Sequence, residues 1–427
     1  MTEPTRAHHD ALETRPAAER EAALVASLPR QVAAAQRTAA FGELLAGVDA
    51  ANITSRAALA RLPVLRKHEL LERQKAQRAS ATQWDPFGGF SAIGWTGLRA
   101  PRGAKRVFQS PGPIYEPEGE GRDYWRVARA LHAAGFSAGD LIHNSFSYHL
   151  TPAGSMMETG AHALGCTVFA GGVGNTELQL QAMQELRPHG YCGTPSFLRI
   201  VFEKAAEAGI TLPSLTKALV SGEAFPPSLR DWLAERGVQG YQCYATADVG
   251  LIAYETSARQ GLVLDEGVLL EIVRPGTGDP VPEGEVGEVV VTVLQADYPM
   301  VRFGTGDLSA VLAGNCPTGR TNTRIKGWLG RADQTAKVRG MFVHPSQVAE
   351  VARRHPEVQR ARLVVAGEMA NDSMTLHIEV PGSPDGLAAR IAESVREVTK
   401  LRADVHLCAP GSLPNDGKVI EDARSYK

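Results

Sequence analysis

The feature that most constrains the fold of this chain is a regular alternation of strand-like and helix-like segments between residues 122 and 236. Short apolar runs alternate there with longer amphipathic runs, and Gly or Pro stands at most of the junctions. Segments in this order predict βαβ units and a largely parallel sheet. Such sheets bind their ligands beyond the carboxyl ends of the strands, so chemistry is expected in the loops that follow the strands. The predicted strands are 140–146, 166–170, 190–193 and 217–221, and the predicted helices are 122–134, 154–164, 176–186, 195–208 and 227–236.

The rest of the chain divides into further parts. Residues 1–80 carry apolar residues three and four apart, which predicts a helical lead-in that packs on the main body and takes no part in chemistry. Residues 262–312 alternate apolar and polar residues between Gly/Pro turns, which predicts an antiparallel or barrel-like part. Two glycines and a proline around the charged stretch 325–351 indicate a joint. We therefore predict an α/β fold with a large N-terminal domain, 1–328, and a small α+β C-terminal cap, 329–427.

Composition and charge argue against several classes of protein. The 427 residues are 43% hydrophobic and 22% charged, as in ordinary globular proteins. A net charge of -2 gives no electrostatic basis for binding nucleic acid or an anionic membrane. No apolar run approaches the ~18 residues of a membrane span, and the polar N-terminus does not resemble a signal peptide. Five scattered cysteines without a CxxC pair favour a reducing cytoplasm over a disulfide framework.

Four stretches in the predicted loops carry residues suited to chemistry. The first, SGEAFP at 221–226, directly follows a predicted strand, and the second is QCYATAD at 242–248. The third, YPMVRFGTGDL at 298–308, places an aspartate after a tight glycine turn. The fourth is the charged joint at 325–351, with the GK dipeptide near the C-terminus as its partner. Any one of them would be weak evidence, but their order and spacing along one chain are specific.

Together these stretches resemble the adenylate-forming enzymes: acyl- and aryl-CoA synthetases, luciferases and peptide-synthetase adenylation domains. The phenylacetate–CoA ligase-like branch is the most similar. YATAD resembles its Tyr-Gly-x-Ser-Glu element, and MVRFGTGDLSAV resembles its Arg-x-Gly/Arg-Thr-x-Asp-Leu element. GRADQTAKVRGMFVHPSQVAEV resembles its Gly-Arg-x-Asp-Asp-x-x-x-Val-Arg-Gly element with the Pro-Ser-Gln that follows. The resemblance extends from about residue 20 to the end of the chain.

The resemblance implies a two-step reaction and its cofactors. A carboxylate attacks the α-phosphorus of ATP, which gives acyl-AMP and pyrophosphate, and the coenzyme A thiol then attacks the acyl carbon. Both steps rely on positioning and charge stabilisation. The expected ligands are a small, aromatic carboxylic acid, ATP or AMP, Mg²⁺ and coenzyme A, or a carrier protein in place of coenzyme A. The cap is expected to move between the two steps, and a homodimer is common in this branch.

The resemblance assigns the nucleotide to residues in three of the stretches. Asp307 corresponds to the carboxylate that accepts hydrogen bonds from both ribose hydroxyls. Tyr244 would lie against adenine, since a flat aromatic face suits a purine, and Gly222, Glu223 and Ala245 would line the same slot. The residues alone also allow a turn aspartate that bonds its own backbone, and a core tyrosine at a strand end.

Four further residues correspond to the catalytic and mobile parts of the family site. Asp248 stands where the family has the Glu linked to Mg²⁺; it is a competent oxygen ligand, but one methylene shorter. Arg331 resembles the catalytic arginine that reaches the ribose and phosphates, and Asp333 resembles the hinge about which the cap rotates. Lys418 resembles the catalytic lysine that bridges the substrate carboxylate and phosphate oxygens in the first step. A surface ion pair and a solvated tail lysine are the alternatives for the last three.

The acyl pocket is predicted from two loops. His149, in SFSYHLTPAG after a predicted strand, lies in a segment that borders the acyl pocket in the ligase branch. It is a candidate catalytic residue that would orient the carboxylate. Tyr148, Ala224 and Phe225 are candidate pocket walls. A satisfied histidine and ordinary core packing are the alternative interpretations of these residues.

One expected element of the family is missing from the sequence. The family phosphate loop, Ser-Ser/Gly-Gly-Thr-Thr-Gly-x-Pro, clamps the β- and γ-phosphates with N–H groups and hydroxyls. By order it should lie near residues 108–117, which read FQSPGPIYEP and contain no threonine. Prolines there remove N–H donors, and Glu116 would repel phosphate. Three explanations compete: adenylation with an altered loop, binding of AMP, acyl-adenylate or thioester without efficient use of ATP, or a partner subunit that retains the fold.

Overall fold

The structure, a computed structural model, divides the chain into two compact units. One unit is Met1–Gly330 and the other is Arg331–Lys427, a division two residues beyond the predicted boundary. The described residues are 7–98, 103–275, 277–332, 334, 336–339, 341–367, 372–382, 384–414 and 419–424.

The first unit begins with helices, as the apolar spacing predicts. Leu24, Leu28 and Val32 lie four residues apart in the first helix and are all buried, so that one face of the helix packs on the main body. Within the described ranges, no helix combines the length and the apolar character needed to cross a bilayer. The elements of this part are α1 (Ala17–Gln36), α2 (Ala39–Leu44), α3 (Arg56–Leu59), β1 (Leu65–Arg66) and α4 (Lys67–Ala79), with 3₁₀ turns at Ala11–Thr14 and Ala50–Asn52.

The main body first alternates strands with helices and then continues with strands. The alternating group is β2 (Arg106–Ser110), β3 (Ile114–Glu118), α5 (Ala128–Ala133), β4 (Leu141–Asn144), α6 (Ala153–Leu164), β5 (Thr167–Ala170), α7 (Thr176–Leu186), β6 (Gly190–Gly193), α8 (Pro195–Glu207), β7 (Lys217–Val220) and α9 (Pro227–Ala234). The group of strands is β8 (Gln239–Thr246), β9 (Gly250–Glu255), β10 (Leu262–Leu264), β11 (Val268–Val273), β12 (Gly287–Val293), β13 (Phe303–Ser309), β14 (Val311–Leu312) and β15 (Arg324–Ile325).

A nine-stranded sheet forms the centre of the first unit, in the order β14-β15-β10-β9-β8-β7-β6-β4-β5. Strands β5, β4, β6, β7 and β8 are parallel to one another, and β9, β10, β15 and β14 continue the sheet with antiparallel pairing. The predicted parallel-rich α/β fold is thereby confirmed. Because parallel strands end at the same edge, the loops after β4, β6, β7 and β8 lie together at that edge of the sheet.

Helix α5 is shorter than the sequence predicts. The apolar pattern predicts a helix over 122–134, but the helix begins at Ala128. Arg126 has a φ of 65°, a left-handed conformation that interrupts a right-handed helix. The Asp123 carboxylate accepts the N–H groups of Val127 and Ala128 at 2.9 and 3.0 Å and so caps the shortened helix. Helix α7 and strand β6, in contrast, have the predicted bounds.

A second sheet of four strands holds the strand that carries Asp307. Its order is β1-β13-β12-β11, and it is antiparallel except for the pair β1–β13. Arg302, just before β13, is buried and donates to both carboxylate oxygens of Glu271 at 3.0 and 3.1 Å. A buried bidentate pair of this kind fixes the start of β13. Residues 304–306, predicted as a tight turn before Asp307, lie within this strand, where its pairing with β12 is irregular.

The second unit folds around its own apolar core. It contains an antiparallel hairpin, β16–β17, and a four-stranded sheet in the order β20-β19-β18-β21. The Gln347 side chain accepts the N–H of His344 at 2.9 Å and caps the first helix of the unit. The elements are β16 (Ala336–Val338), β17 (Met341–Val343), α10 (Pro345–Arg353), β18 (Arg360–Ala366), β19 (Ser373–Glu379), α11 (Leu387–Thr399), β20 (Asp404–Cys408) and β21 (Ile420–Asp422).

Candidate active site

Two of the predicted loops meet where β7 and β8 end. The Ser221 hydroxyl donates to the carbonyl of Cys243 at 2.8 Å and ties the loop after β7 to the end of β8. Gly222 has a φ of 87°, a backbone conformation that glycine adopts at little cost. Glu223 is exposed, and its carboxylate accepts the N–H of Ser196 at the start of α8, at 2.7 Å. These hydrogen bonds hold the loop after β7 to β8 on one side and to the start of α8 on the other.

Tyr244 and Asp307, predicted to hold adenine and ribose, are in direct contact. The Tyr244 hydroxyl donates to one carboxylate oxygen of Asp307 at 2.7 Å, across 63 positions of sequence. Ala245 lies at an irregularity in the pairing of β8 with β9, and bulges of this kind re-aim side chains at the end of a strand. The N–H of Asp307 donates to the Thr305 hydroxyl at 3.1 Å. The structure thus brings two of the predicted nucleotide residues together, and their roles stay predictions.

Trp328 is a further donor to Asp307 that sequence reasoning missed. Its indole N–H lies 3.1 Å from the other carboxylate oxygen, and the side chain is partly exposed. The Leu308 N–H donates to the Gly330 carbonyl at 2.8 Å, which holds the glycine-rich turn of Trp328 against the end of β13. The sequence signal that could have indicated Trp328 is the presence of a tryptophan within that glycine-rich turn. Tyr244 and Trp328 donate to the two different oxygens of the same carboxylate.

Asp248, the predicted metal ligand, is paired with a lysine. Asp248 is 3% exposed, and the ammonium of Lys67 lies 2.8 Å from its Oδ2. Within the described part of the chain, the other oxygen of Asp248 has no hydrogen-bond partner. Lys67 opens α4 directly after β1, so it comes from the lead-in for which the sequence predicts packing alone. No local pattern singled out this lysine.

Residues 106–118, which include the expected phosphate loop, form the β2–β3 hairpin. Gln74 clamps the hairpin, because its side chain accepts the Tyr115 N–H at 2.8 Å and donates to the Tyr115 carbonyl at 2.9 Å. The buried Glu118 accepts the indole N–H of Trp125 at 2.8 Å and anchors the second strand. The N–H groups engaged in this ladder are not available to clamp phosphates as an open glycine-rich loop would.

Glu116 is fully buried in this hairpin, at 0% exposure. The Ser110 hydroxyl donates to one of its oxygens, and the Ser110 N–H donates to the other at 3.3 Å. Burial, and then the charge of Asp248, raises the pKa of Glu116 well above its ordinary value. A buried, neutral Glu116 does not repel a phosphate, which corrects the expectation from the sequence.

The side chains around Asp248 do not fit a directly bound Mg²⁺. This ion takes oxygen ligands at about 2.0–2.1 Å in octahedral geometry, whereas the Lys67 ammonium already lies beside the Asp248 carboxylate. The raised pKa of Glu116 keeps the neighbouring carboxyl neutral, and Ser110 engages both of its oxygens. Among the residues that the structure describes, no group of three His, Cys, Asp or Glu side chains could hold a metal ion. A metal at the other oxygen of Asp248 would lie close to the Lys67 ammonium, and the like charges would oppose its binding.

Glu116→Gln is expected to make the free energy of unfolding less dependent on pH. Because folding raises the pKa of Glu116, the native state retains a proton that the unfolded chain releases. The stability of the wild type therefore falls as pH rises through the window between the two pKa values. Glutamine does not titrate, so the variant should gain stability relative to the wild type between about pH 5 and about pH 8. Denaturant unfolding at both pH values measures this difference.

The control for this prediction is Glu120→Gln, which changes an exposed carboxylate just beyond the hairpin. It should leave the pH dependence of unfolding as in the wild type. If Glu116→Gln shifted stability by the same amount at every pH, the buried carboxyl would not be held neutral by folding.

Tyr148 and His149, predicted to border the acyl pocket, lie in the loop after β4. The Tyr148 hydroxyl accepts the Asn144 side-chain N–H at 2.8 Å. Burial, and then contact with Glu158, raises the pKa of Tyr148 above its ordinary value, so the phenol stays neutral. His149 is exposed, which leaves its imidazole accessible to a ligand. Its catalytic role stays a prediction.

Ala224 and Phe225, the other predicted pocket walls, follow β7, and β6 separates this strand from β4. Ala224 is half-buried. Phe225 is buried, with the Arg230 guanidinium 5.0 Å from its ring centroid. A side chain at Gly240 would meet the ring at 2.8 Å, so Phe225 packs between α9 and β8. This position agrees with the core-packing interpretation of Phe225, and the pocket role of Ala224 stays a prediction.

Three predicted residues belong to the second unit. Asp333 and Lys418 lie outside the described residues. Arg331 is half-buried. Gln334, which sequence reasoning missed, accepts the N–H of Val419 at 2.8 Å. This contact ties the segment after Arg331 to the start of β21.

Known proteins are similar to this chain in sequence and in fold. Residues 125–293 match the family model described as AMP-binding enzyme. A phenylacetate-coenzyme A ligase of Thermus thermophilus is 32% identical over 318 residues, which cover 67% of this chain and 71% of that protein. A phenylacetate-coenzyme A ligase of Aromatoleum evansii is 28% identical over 393 residues, which cover 86% and 84%. The crystal structure of a 2-hydroxyisobutyryl-CoA ligase in complex with 2-HIB-AMP and CoA has a TM-score of 0.79 at 25% identity, over 97% of this chain and 92% of that chain.

Proposed function

Because the chain belongs to the phenylacetate–coenzyme A ligase branch of the adenylate-forming enzymes, we propose that it activates a small carboxylic acid and transfers it to coenzyme A. In the first step a carboxylate oxygen attacks the α-phosphorus of ATP, an acyl–phosphate bond forms and pyrophosphate leaves. In the second step the coenzyme A sulfur attacks the acyl carbon, the thioester forms, AMP leaves and the thiol proton passes to solvent. Each step requires a firmly held adenylate.

The contact between Tyr244 and Asp307 is the observation that carries this proposal. A carboxylate suits ribose hydroxyls because each of its oxygens can accept more than one hydrogen bond, and an aromatic ring beside it suits adenine. Tyr244 lies near the end of β8, at the usual ligand-binding edge of a parallel sheet, and Asp307 meets it from β13 of the second sheet. The roles of Arg331, Asp333 and Lys418 in the same reaction are proposals that rest on the family resemblance.

The proposed substrate is a small aromatic acid, as the names of the phenylacetate ligases suggest. The solved ligase with the same fold is named for a short hydroxy acid instead. Aromatic acids and short hydroxy acids are therefore the two sets to compare.

Pyrophosphate release, measured across both sets of acids with and without coenzyme A, tests the proposal. We expect release that depends on the acid, together with a coenzyme A thioester, for at least one aromatic acid. Exchange of pyrophosphate without any thioester from free coenzyme A would point to a carrier protein as the acceptor. No release with any acid, in a protein that still binds AMP, would contradict the ligase function.

The β2–β3 hairpin favours a second candidate function, a nucleotide- or acyl-CoA-binding protein that uses ATP poorly. By order along the chain, the hairpin occupies the segment expected to clamp the β- and γ-phosphates, whereas AMP and acyl-AMP carry no such phosphates. Equilibrium binding of AMP, ADP and ATP separates the two candidates. A ligase should bind ATP at least as tightly as AMP, and a marked loss of affinity from AMP to ATP would favour the binding protein.

Three finer expectations complete the proposal. Mg²⁺ would accompany the phosphates of ATP, the protein would act as a homodimer, and it would act in the cytoplasm. Five free cysteines suit a reducing compartment. Light scattering after gel filtration tests the dimer.

A further inference from the structure

The ion pair between Lys67 and Asp248 is the feature of the site that the family resemblance does not explain. The element that contains Asp248 is linked to a metal ion in the family, whereas an ammonium lies 2.8 Å from the carboxylate here. We propose that Lys67 supplies the positive charge beside Asp248 in the adenylate site, so that AMP and acyl-AMP bind without a divalent cation at this carboxylate. The inference rests on the proposed function, because it concerns the same adenylate.

The burial of the two partners shows which of them can face a ligand. The side chain of Asp248 is 1% exposed, and that of Lys67 is 32% exposed. The carboxylate therefore lies within the protein, and the lysine reaches the surface of the site. An ammonium has three N–H donors, so it can stay beside a carboxylate and also donate to an oxyanion. A Mg²⁺ at Asp248 would meet a like charge within a few ångströms, which is strongly unfavourable in a partly buried site.

The backbone places Lys67 beside the strand that carries Asp307. Strand β1 runs parallel to β13, with Arg66 opposite Gly304. Lys67 is the next residue, so it leaves β1 level with the part of β13 that precedes Asp307. The Arg66 guanidinium donates to the buried Glu288 at 3.0 Å and fixes this exit. Lys67 and the proposed ribose carboxylate therefore belong to the same corner of the first unit.

Buried polar atoms without partners accompany the ion pair. In the part of the chain that the structure describes, Oδ1 of Asp248 and the hydroxyls of Tyr298 and Thr246 have no hydrogen-bond partner. Asp248 is 3% exposed and Tyr298 is 2% exposed. Burial raises the pKa of Tyr298 well above its ordinary value, so this phenol keeps its proton and can donate it to a hydrogen bond. Because buried polar groups are seldom left unpaired, we expect a ligand or ordered water beside them. The two hydroxyls can donate to phosphate oxygens, whereas Oδ1 of Asp248 requires a donor such as water.

An ammonium in place of Mg²⁺ also changes the net charge of the site. One lysine neutralises the charge of Asp248, whereas a divalent ion would leave one positive charge in excess. The ion pair therefore compensates less phosphate charge than a metal ion would, and this loss matters less for the single charge of acyl-AMP than for a triphosphate. This preference agrees with the hairpin that stands in place of the phosphate loop.

AMP binding by Lys67→Met, measured by calorimetry in EDTA and in excess Mg²⁺, tests the proposal. Methionine keeps most of the apolar stem and removes the charge. Lys75→Met is the matched control, because Lys75 lies on the same helix and pairs with the exposed Glu72 at 2.9 Å. A buried carboxylate without a counter-charge can prevent folding, so the double variant Lys67→Met/Asp248→Asn is measured as well.

The wild type is expected to bind AMP with affinities that agree within about twofold in EDTA and in Mg²⁺. Lys67→Met should bind AMP about tenfold more weakly in EDTA and recover in Mg²⁺, because Asp248 is then open to the metal. The double variant should show the same loss without recovery, since a neutral amide attracts Mg²⁺ poorly. Lys75→Met should match the wild type.

Two results would overturn the inference and leave the ligase function standing. One is a wild-type affinity for AMP that depends on Mg²⁺ and loses this dependence in Asp248→Asn. The other is a folded Lys67→Met or double variant that binds AMP in EDTA as tightly as the wild type. If the wild type bound no AMP in either condition, the proposed function itself would be overturned.

Discussion

Asp307→Ala is expected to weaken AMP binding by roughly 30-fold, or about 2 kcal/mol, because a hydrogen bond to a charged group contributes about 1.5–3 kcal/mol. The carboxylate is proposed to accept both ribose hydroxyls. The variant also removes the acceptor of the Tyr244 hydroxyl and of the Trp328 indole, so some stability is lost too. Calorimetry with AMP measures the affinity, and denaturant unfolding measures the stability. Asp307→Asn keeps the volume and one acceptor oxygen, and it replaces the alanine variant if that variant unfolds.

The chain contains a matched control for this experiment. Asp279 ends a second Thr-Gly-Asp sequence, and its N–H donates to the Thr277 hydroxyl at 3.0 Å, as the N–H of Asp307 donates to Thr305 at 3.1 Å. Asp279 is exposed on the connection between β11 and β12. Asp279→Ala should therefore leave AMP affinity unchanged. An undiminished affinity in Asp307→Ala would mean that Asp307 forms hydrogen bonds only within the protein and does not bind ribose.

Lys418→Ala is expected to slow adenylation by about 100-fold or more, since one positioned donor at a developing negative charge contributes about 10²–10³ in rate. By resemblance to the family, this lysine bridges the substrate carboxylate and the phosphate oxygens in the first step and takes no part in the second. Thioester formation from preformed acyl-AMP should therefore be largely spared. Pyrophosphate exchange measures the first step, and conversion of chemically prepared acyl-AMP with coenzyme A measures the second.

The control for the lysine is Lys400→Ala, an exposed position at the end of α11 in the same unit. It should change neither step. Equal loss of both steps in Lys418→Ala would contradict the assigned role. Unequal loss would mean that the two half-reactions depend on different groups of this unit. A hinge at Asp333 would serve that alternation, so the result would also support the hinge.

Most of the fold could be predicted because the burial of one face is a local property of a strand or helix. Helix α7 and strand β6 have the predicted bounds for this reason. Helix α5 is the exception, since its first residue depends on the left-handed backbone of Arg126, whose guanidinium is held by Asp265. That contact spans 139 positions, and no apolar pattern records it.

The candidate site could be predicted only where its residues stand within one motif. Tyr244 and Asp307 were recognised from their neighbours in sequence, but the hydrogen bond between them was not. Trp328 was overlooked because nothing local relates an indole to a carboxylate on another segment. The sequence leaves Phe225 between a pocket wall and core packing, and only the structure shows that its ring packs beside Gly240 on a neighbouring strand.

Local pattern and motif order were thus enough to establish a parallel-rich α/β protein of the adenylate-forming family, and they predict a nucleotide site at one edge of the sheet. The electrostatics of that edge follow from the folded chain alone. Lys67 meets Asp248 across 181 positions, and Glu116 becomes a buried acid because its hairpin closes over it. The charge of a site depends on which side chains are brought together and on how far water is excluded. Neither can be predicted from the spacing of residues along the chain.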